Sequence, residues 1–109
     1  MDCIFCKIIN KEIPSNIVYE DELVIAFLDT NPKTPVHILV IPKKHIESAH
    51  HASKDDLSVI GHIYGVIQQL AEQTGVAENG YRVLTNIGKH GNQTVKHMHF
   101  HLLGGRQMQ

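Results

Sequence analysis

The chain has 109 residues, enough for one compact domain, residues 1–109, with a core of its own. Its apolar fraction is 42%, its charged fraction 19% and its net charge −1, which is ordinary for a soluble globular protein and leaves no footprint for a nucleic acid polymer. No apolar run approaches membrane-spanning length, and the acidic start Met1-Asp2-Cys3 lacks a signal-peptide layout, so no membrane partner and a cytoplasmic location are expected.

In chain order, residues 3–9 are short and apolar and predict a helical turn or more. Lys11 to Ser15 reads as a connection. Residues 17–19 and 23–28 are β-rich runs joined by the polar Glu20-Asp21-Glu22, a hairpin pattern. Asn31-Pro32-Lys33-Thr34-Pro35 is a loop, and residues 36–41 form a third strand ended by Pro42. Residues 53–74 predict the main helix. Ser53 is its expected N-cap and Gly75 its C-terminal cap, with Leu57, Ile60, Tyr64, Ile67 and Leu70 or Ala71 on the apolar face. Gly61 and Gly65 would let that helix lie close to a sheet. Residues 81–87 and 97–103 predict two more strands. The expected class is α+β: a mostly antiparallel sheet with helix on one face.

Histidine patterning is the strongest signal. In the run His97-Met98-His99-Phe100-His101, strand alternation places three imidazoles on one face and apolar side chains on the other. Neighbours two apart lie roughly 6.5 Å apart and the outer pair roughly 13 Å apart, too far for three ligands of one metal, so the roles divide. A neutral imidazole is a competent nucleophile near neutral pH when one nitrogen is bare and the other proton is held by an acceptor. The preceding loop, Gly88 to Thr94, reads either as a presenter of backbone N–H groups to an anion or as a solvated turn. Cys3 and Cys6 form a C-x-x-C pair. Only two residues precede it, so the strand expected before a thioredoxin-like motif is missing. Half a zinc site fits better, and it needs two more ligands elsewhere. His50, His51, His62 and His90 read as surface histidines.

The run HMHFHLL resembles the signature of the histidine-triad family, His-x-His-x-His-x-x with x apolar. The segments CIFCKIINKEIPSNIVYEDE, AFLDTNPKTPVHILVIPKKHI and GYRVLTNIGKHGNQTVKHMHFHLLGGRQM extend the resemblance over nearly the whole chain, with greatest similarity to the nucleotide-binding branch. It implies a five-stranded antiparallel sheet with one long and one short helix, continued across a homodimer. It also implies hydrolysis of purine nucleoside 5′-phosphoramidates, such as amine or lysine adducts of AMP or GMP, through a covalent nucleotidyl-histidine. The matching nucleophile is His99, oriented through a backbone carbonyl. His101 matches a phosphate ligand, and His37 another active-site histidine. Asn86 and Thr94 match groups on the phosphate and leaving group, and Gln93 lies in the same phosphate loop. Asp29 matches the ribose ligand, and Phe5, Ile8 and Phe27 the walls around the base. Where the family usually has Gly-Gln-Ser, this chain has Asn92-Gln93-Thr94. The implied metal is a structural zinc on Cys3, Cys6, His45 and His97, with no metal required for catalysis. Alternatives are a dinucleotide-polyphosphate hydrolase of the same superfamily and a nucleotide-binding regulatory protein with vestigial catalysis.

Overall fold

The apolar runs of the sequence pair into one antiparallel sheet, which the computed structural model describes over residues 3–109. Met1 and Asp2, part of the N-terminal reading above, lie outside the described residues. The elements are α1 (Ile4–Ile9), β1 (Ile17–Glu20), β2 (Val24–Leu28), β3 (Val36–Pro42), a 3₁₀ turn (Ala49–His51), α2 (Leu57–Thr74), β4 (Tyr81–Leu84) and β5 (Phe100–Gly104). The sheet order is β1-β2-β3-β5-β4, so the last strand lies inside the sheet. No helix among the described residues is long and apolar enough to cross a membrane.

Both faces of the central strands are covered, which is why β2 and β3 read as continuous apolar runs rather than alternating ones. Val24, Ala26, Ile38 and Val40 face α2, against Ile63, Val66, Ile67, Leu70 and Ala71. Ile25, Phe27, Leu39 and Ile41 face the other way, against Cys3, Phe5 and Ile8 of the α1 region. The expectation of helix on one face is thereby corrected: the short helix covers part of the second. His37 and His101 belong to that second face, because Leu39 pairs with His101 across β3 and β5 while His37 pairs with Leu103. The two histidines are therefore diagonal neighbours.

Several boundaries differ from the sequence reading. Ser53 does bond reciprocally with Asp56, Oγ accepting from the Asp56 N–H at 3.3 Å and the Asp56 carboxylate from the Ser53 N–H at 3.1 Å. That turn precedes α2 proper, which starts at Leu57. Gly75 ends it in the left-handed conformation, φ 82°. Ile67, Leu70 and Ala71 are buried as expected, but Leu57 is 56% and Tyr64 46% exposed, while Ile63 and Val66 are buried. Gly61 and Gly65 face open space instead of the sheet. β4 stops at Leu84, and β5 starts at Phe100. Residues 97–99 lie outside the ladder, with a bend at His97. Their backbone is held by the Met98 N–H on the Ile46 carbonyl at 2.6 Å and by Thr85 Oγ1 on the His99 carbonyl at 2.7 Å.

Candidate active site and metal centre

His99 is 4% exposed on the α1 side of the sheet. Its Nδ1 lies 2.7 Å from the His97 carbonyl oxygen. A carbonyl only accepts, so Nδ1 carries the proton and Nε2 is left bare. Burial pushes this imidazole below the ordinary histidine value, against the carbonyl bond and the Asp29 charge, which act the other way. The ring is thus neutral near neutral pH. Phe5 packs edge-on against it, with ring centroids 5.0 Å apart.

Beside it runs a chain of donors with one direction. The Lys33 N–H donates to His37 Nδ1 at 3.1 Å. His37 therefore carries its neutral-form proton on Nε2, which lies 2.9 Å from His101 Nδ1 and 3.4 Å from Asp29 Oδ2. His101 then accepts at Nδ1 and bears its proton on Nε2. That nitrogen is buried and has no hydrogen-bond partner among the described residues. An orphaned buried donor costs about 1–3 kcal/mol, and a ligand oxygen would relieve it. Burial lowers both rings, with Asp29 opposing; His101, further depressed by the His99 and His37 charges, falls to about 4. Both are neutral donors at neutral pH.

The other expected residues lie on several elements. Asp29 follows β2, half-buried, and its Oδ1 accepts from the Asn31 N–H at 2.8 Å. Asn86 is half-buried beyond β4, and Thr94 is exposed on the loop leading to His97. Phe5, Ile8 and Phe27 are buried members of the second core cluster, Phe5 and Phe27 edge to face at 5.6 Å. Gln93 braces the loop: its Oε1 accepts from the Gly88 N–H at 2.9 Å, and its Nε2 donates to the Glu47 and Val95 carbonyls at 2.6 and 3.0 Å. Asn92 adopts φ 62°, a left-handed conformation that asparagine tolerates better than most residues. Gly91 approaches the Ile87 backbone so closely that a Cβ would meet its carbonyl oxygen at 2.4 Å.

Cys3, Cys6, His45 and His97 converge, with all four donor atoms within 4.8 Å of one another. His97 Nδ1 lies 3.4 Å from Cys3 Sγ, 3.6 Å from Cys6 Sγ and 3.1 Å from His45 Nδ1, and Cys6 Sγ lies 3.4 Å from His45 Nδ1. A tetrahedral centre with bonds of about 2.0–2.3 Å has edges of about 3.3–3.8 Å, so the donor set fits a metal ion. His97 Nε2–H donates to the Pro42 carbonyl at 2.9 Å, which turns the bare Nδ1 toward the thiols, as a metal-ligating histidine requires. Burial and the neighbouring Cys3 push the Cys6 thiol up to about 11, so paired thiolates need a compensating cation.

A family model described as scavenger mRNA decapping enzyme C-term binding matches residues 2–109. The purine nucleoside phosphoramidase of Escherichia coli K12 is 48% identical over 107 residues, 98% of this chain and 90% of that protein. Among solved structures, a histidine triad protein from Clostridium difficile is 49% identical, with a TM-score of 0.97 over 100% of this chain and 95% of that one. The chain belongs to the histidine-triad family. A hydrolase of that family from Clostridium thermocellum is similar too, 48% identical with a TM-score of 0.96 over 99% of this chain and 94% of its own.

In this histidine-triad protein the three imidazoles part company: His97 turns to the cysteines, while His99 and His101 stay together with ring centroids 5.2 Å apart. Sequence reading missed the groups that orient them, namely the Pro42 carbonyl and the Lys33 N–H, because backbone groups leave no mark in residue type. The remaining described histidines act structurally or at the surface. His62 Nε2 lies 2.7 Å from Asp21 Oδ2. His51 bonds Ser48 at 2.7 Å and lies 3.5 Å from Glu47, but Ser48 is 1% exposed and caps the 3₁₀ turn, so its hydroxyl is no accessible nucleophile.

Proposed function

We propose that this chain hydrolyses purine nucleoside 5′-phosphoramidates through a nucleotidyl-His99 intermediate. The observation that carries the reading is the bare Nε2 of His99 beside the unpartnered Nε2–H of His101. His99 Nε2 attacks the α-phosphorus, a P–Nε2 bond forms, the P–N bond to the amine breaks, and the amine leaves with a proton taken from solvent, which the hydrolytic water returns in the second step. Water then attacks the same phosphorus, breaks the P–Nε2 bond and releases the nucleoside monophosphate. His101 donates to a phosphate oxygen as charge builds. His37 acts through His101 as a positioning residue. Asp29 takes the ribose hydroxyls, Asn86 and Thr94 the phosphate and leaving group, and Phe5, Ile8 and Phe27 the base, while Gln93 shapes the loop. The 48% identical phosphoramidase supports the substrate class.

Cys3, Cys6, His45 and His97 would hold a structural zinc, which supplies a cross-link when bound and takes no part in the reaction. Free thiols of that kind fit a reducing cytoplasm. β4 is an outer strand of the sheet, and Leu57 and Tyr64 are exposed apolar residues, features that support a homodimer.

The test is amine release from an adenosine or guanosine phosphoramidate by the wild type, His99→Ala and His99→Asn, with trapping of the nucleotidylated peptide. Loss of release and of the peptide adduct in both variants is expected. Full activity in His99→Ala, or a strong preference for diadenosine polyphosphates, overturns the reading.

A further inference from the structure

His97 serves two neighbouring centres at once. Its ring is fixed on both sides, at Nε2 by the Pro42 carbonyl at 2.9 Å and at Nδ1 by the donor set of Cys3, Cys6 and His45. Its own carbonyl takes the Nδ1–H of His99 at 2.7 Å. Met98, between them, donates its N–H to the carbonyl of Ile46, the residue after His45. The two centres are therefore joined by backbone with no free residue between them.

A second connection runs through α1. Cys3 caps this helix, its Sγ accepting from the Cys6 N–H at 3.3 Å. Phe5, between the two thiols, lies edge-on to His99 at 5.0 Å and to His97 at 6.0 Å. A helix of six residues is too short to hold itself in place by helix propagation. Ligation of Cys3 and Cys6 would tie it to His45 and His97, and with it the ring that walls the nucleophile.

We infer that the Cys3, Cys6, His45 and His97 metal centre is a positioning device for His99, acting through the His97 carbonyl and the Phe5 ring. The inference rests on the nucleophile reading of His99. Without a fixed carbonyl, a neutral imidazole distributes its proton over both nitrogens, and the Nε2–H form cannot attack phosphorus. His97 is a positioning residue in this scheme.

The experiment uses the full chain with ¹⁵N-labelled histidine at one fixed pH, loaded with Zn²⁺, stripped by chelator, and reloaded with Cd²⁺. Long-range proton–nitrogen correlations report which nitrogen of His99 carries the proton, and amide dispersion reports the fold. A single Nδ1–H pattern is expected in the loaded protein, a pattern averaged over both tautomers in the stripped protein, and recovery with Cd²⁺. The rate of nucleotidyl-His99 formation should fall about tenfold on stripping. An unchanged Nδ1–H pattern in stripped, folded protein overturns the inference, as does failure of the chain to bind either metal. If stripping unfolds the domain, His45→Gln gives the comparison instead: the partly exposed ligand is lost, and a shift toward the mixed pattern is expected. An unchanged pattern there overturns the inference equally. A loaded protein that shows the Nδ1–H pattern but forms no adduct at His99 overturns the nucleophile reading alone.

Discussion

Replacing His37 separates a residue that orients the site from one that touches the substrate. In His37→Phe the ring volume is largely kept, but the donor 2.9 Å from His101 Nδ1 is gone. His101 is then free to carry its proton on either nitrogen. The cost to the reaction is that of one neutral hydrogen bond, about 0.5–1.5 kcal/mol, or about 2- to 13-fold in kcat. His101→Ala removes the donor to phosphate itself, and loss of such a donor costs about 100- to 1,000-fold. His37→Gln keeps an N–H donor and should recover most of the loss. Steady-state amine release from an adenosine phosphoramidate, with kcat and KM resolved, measures all three. A loss in His37→Phe as large as that in His101→Ala would refute the relay, because His37 would then act on the substrate directly.

Four further outcomes are expected. Burial holds His99 below the ordinary histidine value and His101 at about 4, and their neutral forms react, so kcat should persist below pH 6.5 and fall only in more acid solution; a kcat halved at pH 6.5 contradicts this. Burial pushes the Asp21 carboxyl up, but hydrogen bonds from His62, Tyr19, Val24 and Leu23 outweigh it and leave it well below the usual carboxylate range. Its stabilisation is therefore present above about pH 4 and lost as pH falls through the folded value, and urea unfolding of Asp21→Asn at pH 7 should show a loss of about 1–3 kcal/mol that shrinks in acid. Asn92→Ala should destabilise by about 1 kcal/mol and Asn92→Gly hardly at all, given φ 62°, which thermal denaturation checks. Gly91→Ala should cost far more than either, since its Cβ would meet backbone at 2.4 Å.

Elements whose burial follows from composition were legible. β2 and β3 are apolar on both faces and bounded by polar turns and prolines, and Gly75 marks the end of α2 by the one conformation it adopts there. The buried face of α2 was read in part: Ile67, Leu70 and Ala71 are buried and Ile60 packs on the core, but Ile63 and Val66 are buried where Leu57 and Tyr64 were expected, because the apolar residues satisfy two helical stripes at once and only packing chooses between them. Residues 97–99 alternate like a strand in sequence but lie outside the ladder, with a bend at His97, because an alternating pattern alone does not fix pairing. The division of the triad followed from spacing in part. That His97 turns away from His99 depends on the Pro42 carbonyl, and no side-chain pattern announces a backbone acceptor.

The position of β5 has a consequence for how the chain folds. The strand is last in sequence, yet it lies between β3 and β4, so until residues 100–104 arrive those two strands present unpaired inner edges. His101 is on that strand and His97 and His99 on the segment leading into it. The N-terminal cysteines must wait for the same segment to supply their fourth partner. Neither centre can therefore form until residues 97–101 have been made, and the β3–β5 pairing joins residues far apart in the chain, which makes it the slow, non-local step. A ribosome-bound chain that stops at residue 99 should behave as an open, edge-exposed intermediate, dependent on dilution or chaperones to stay out of aggregates.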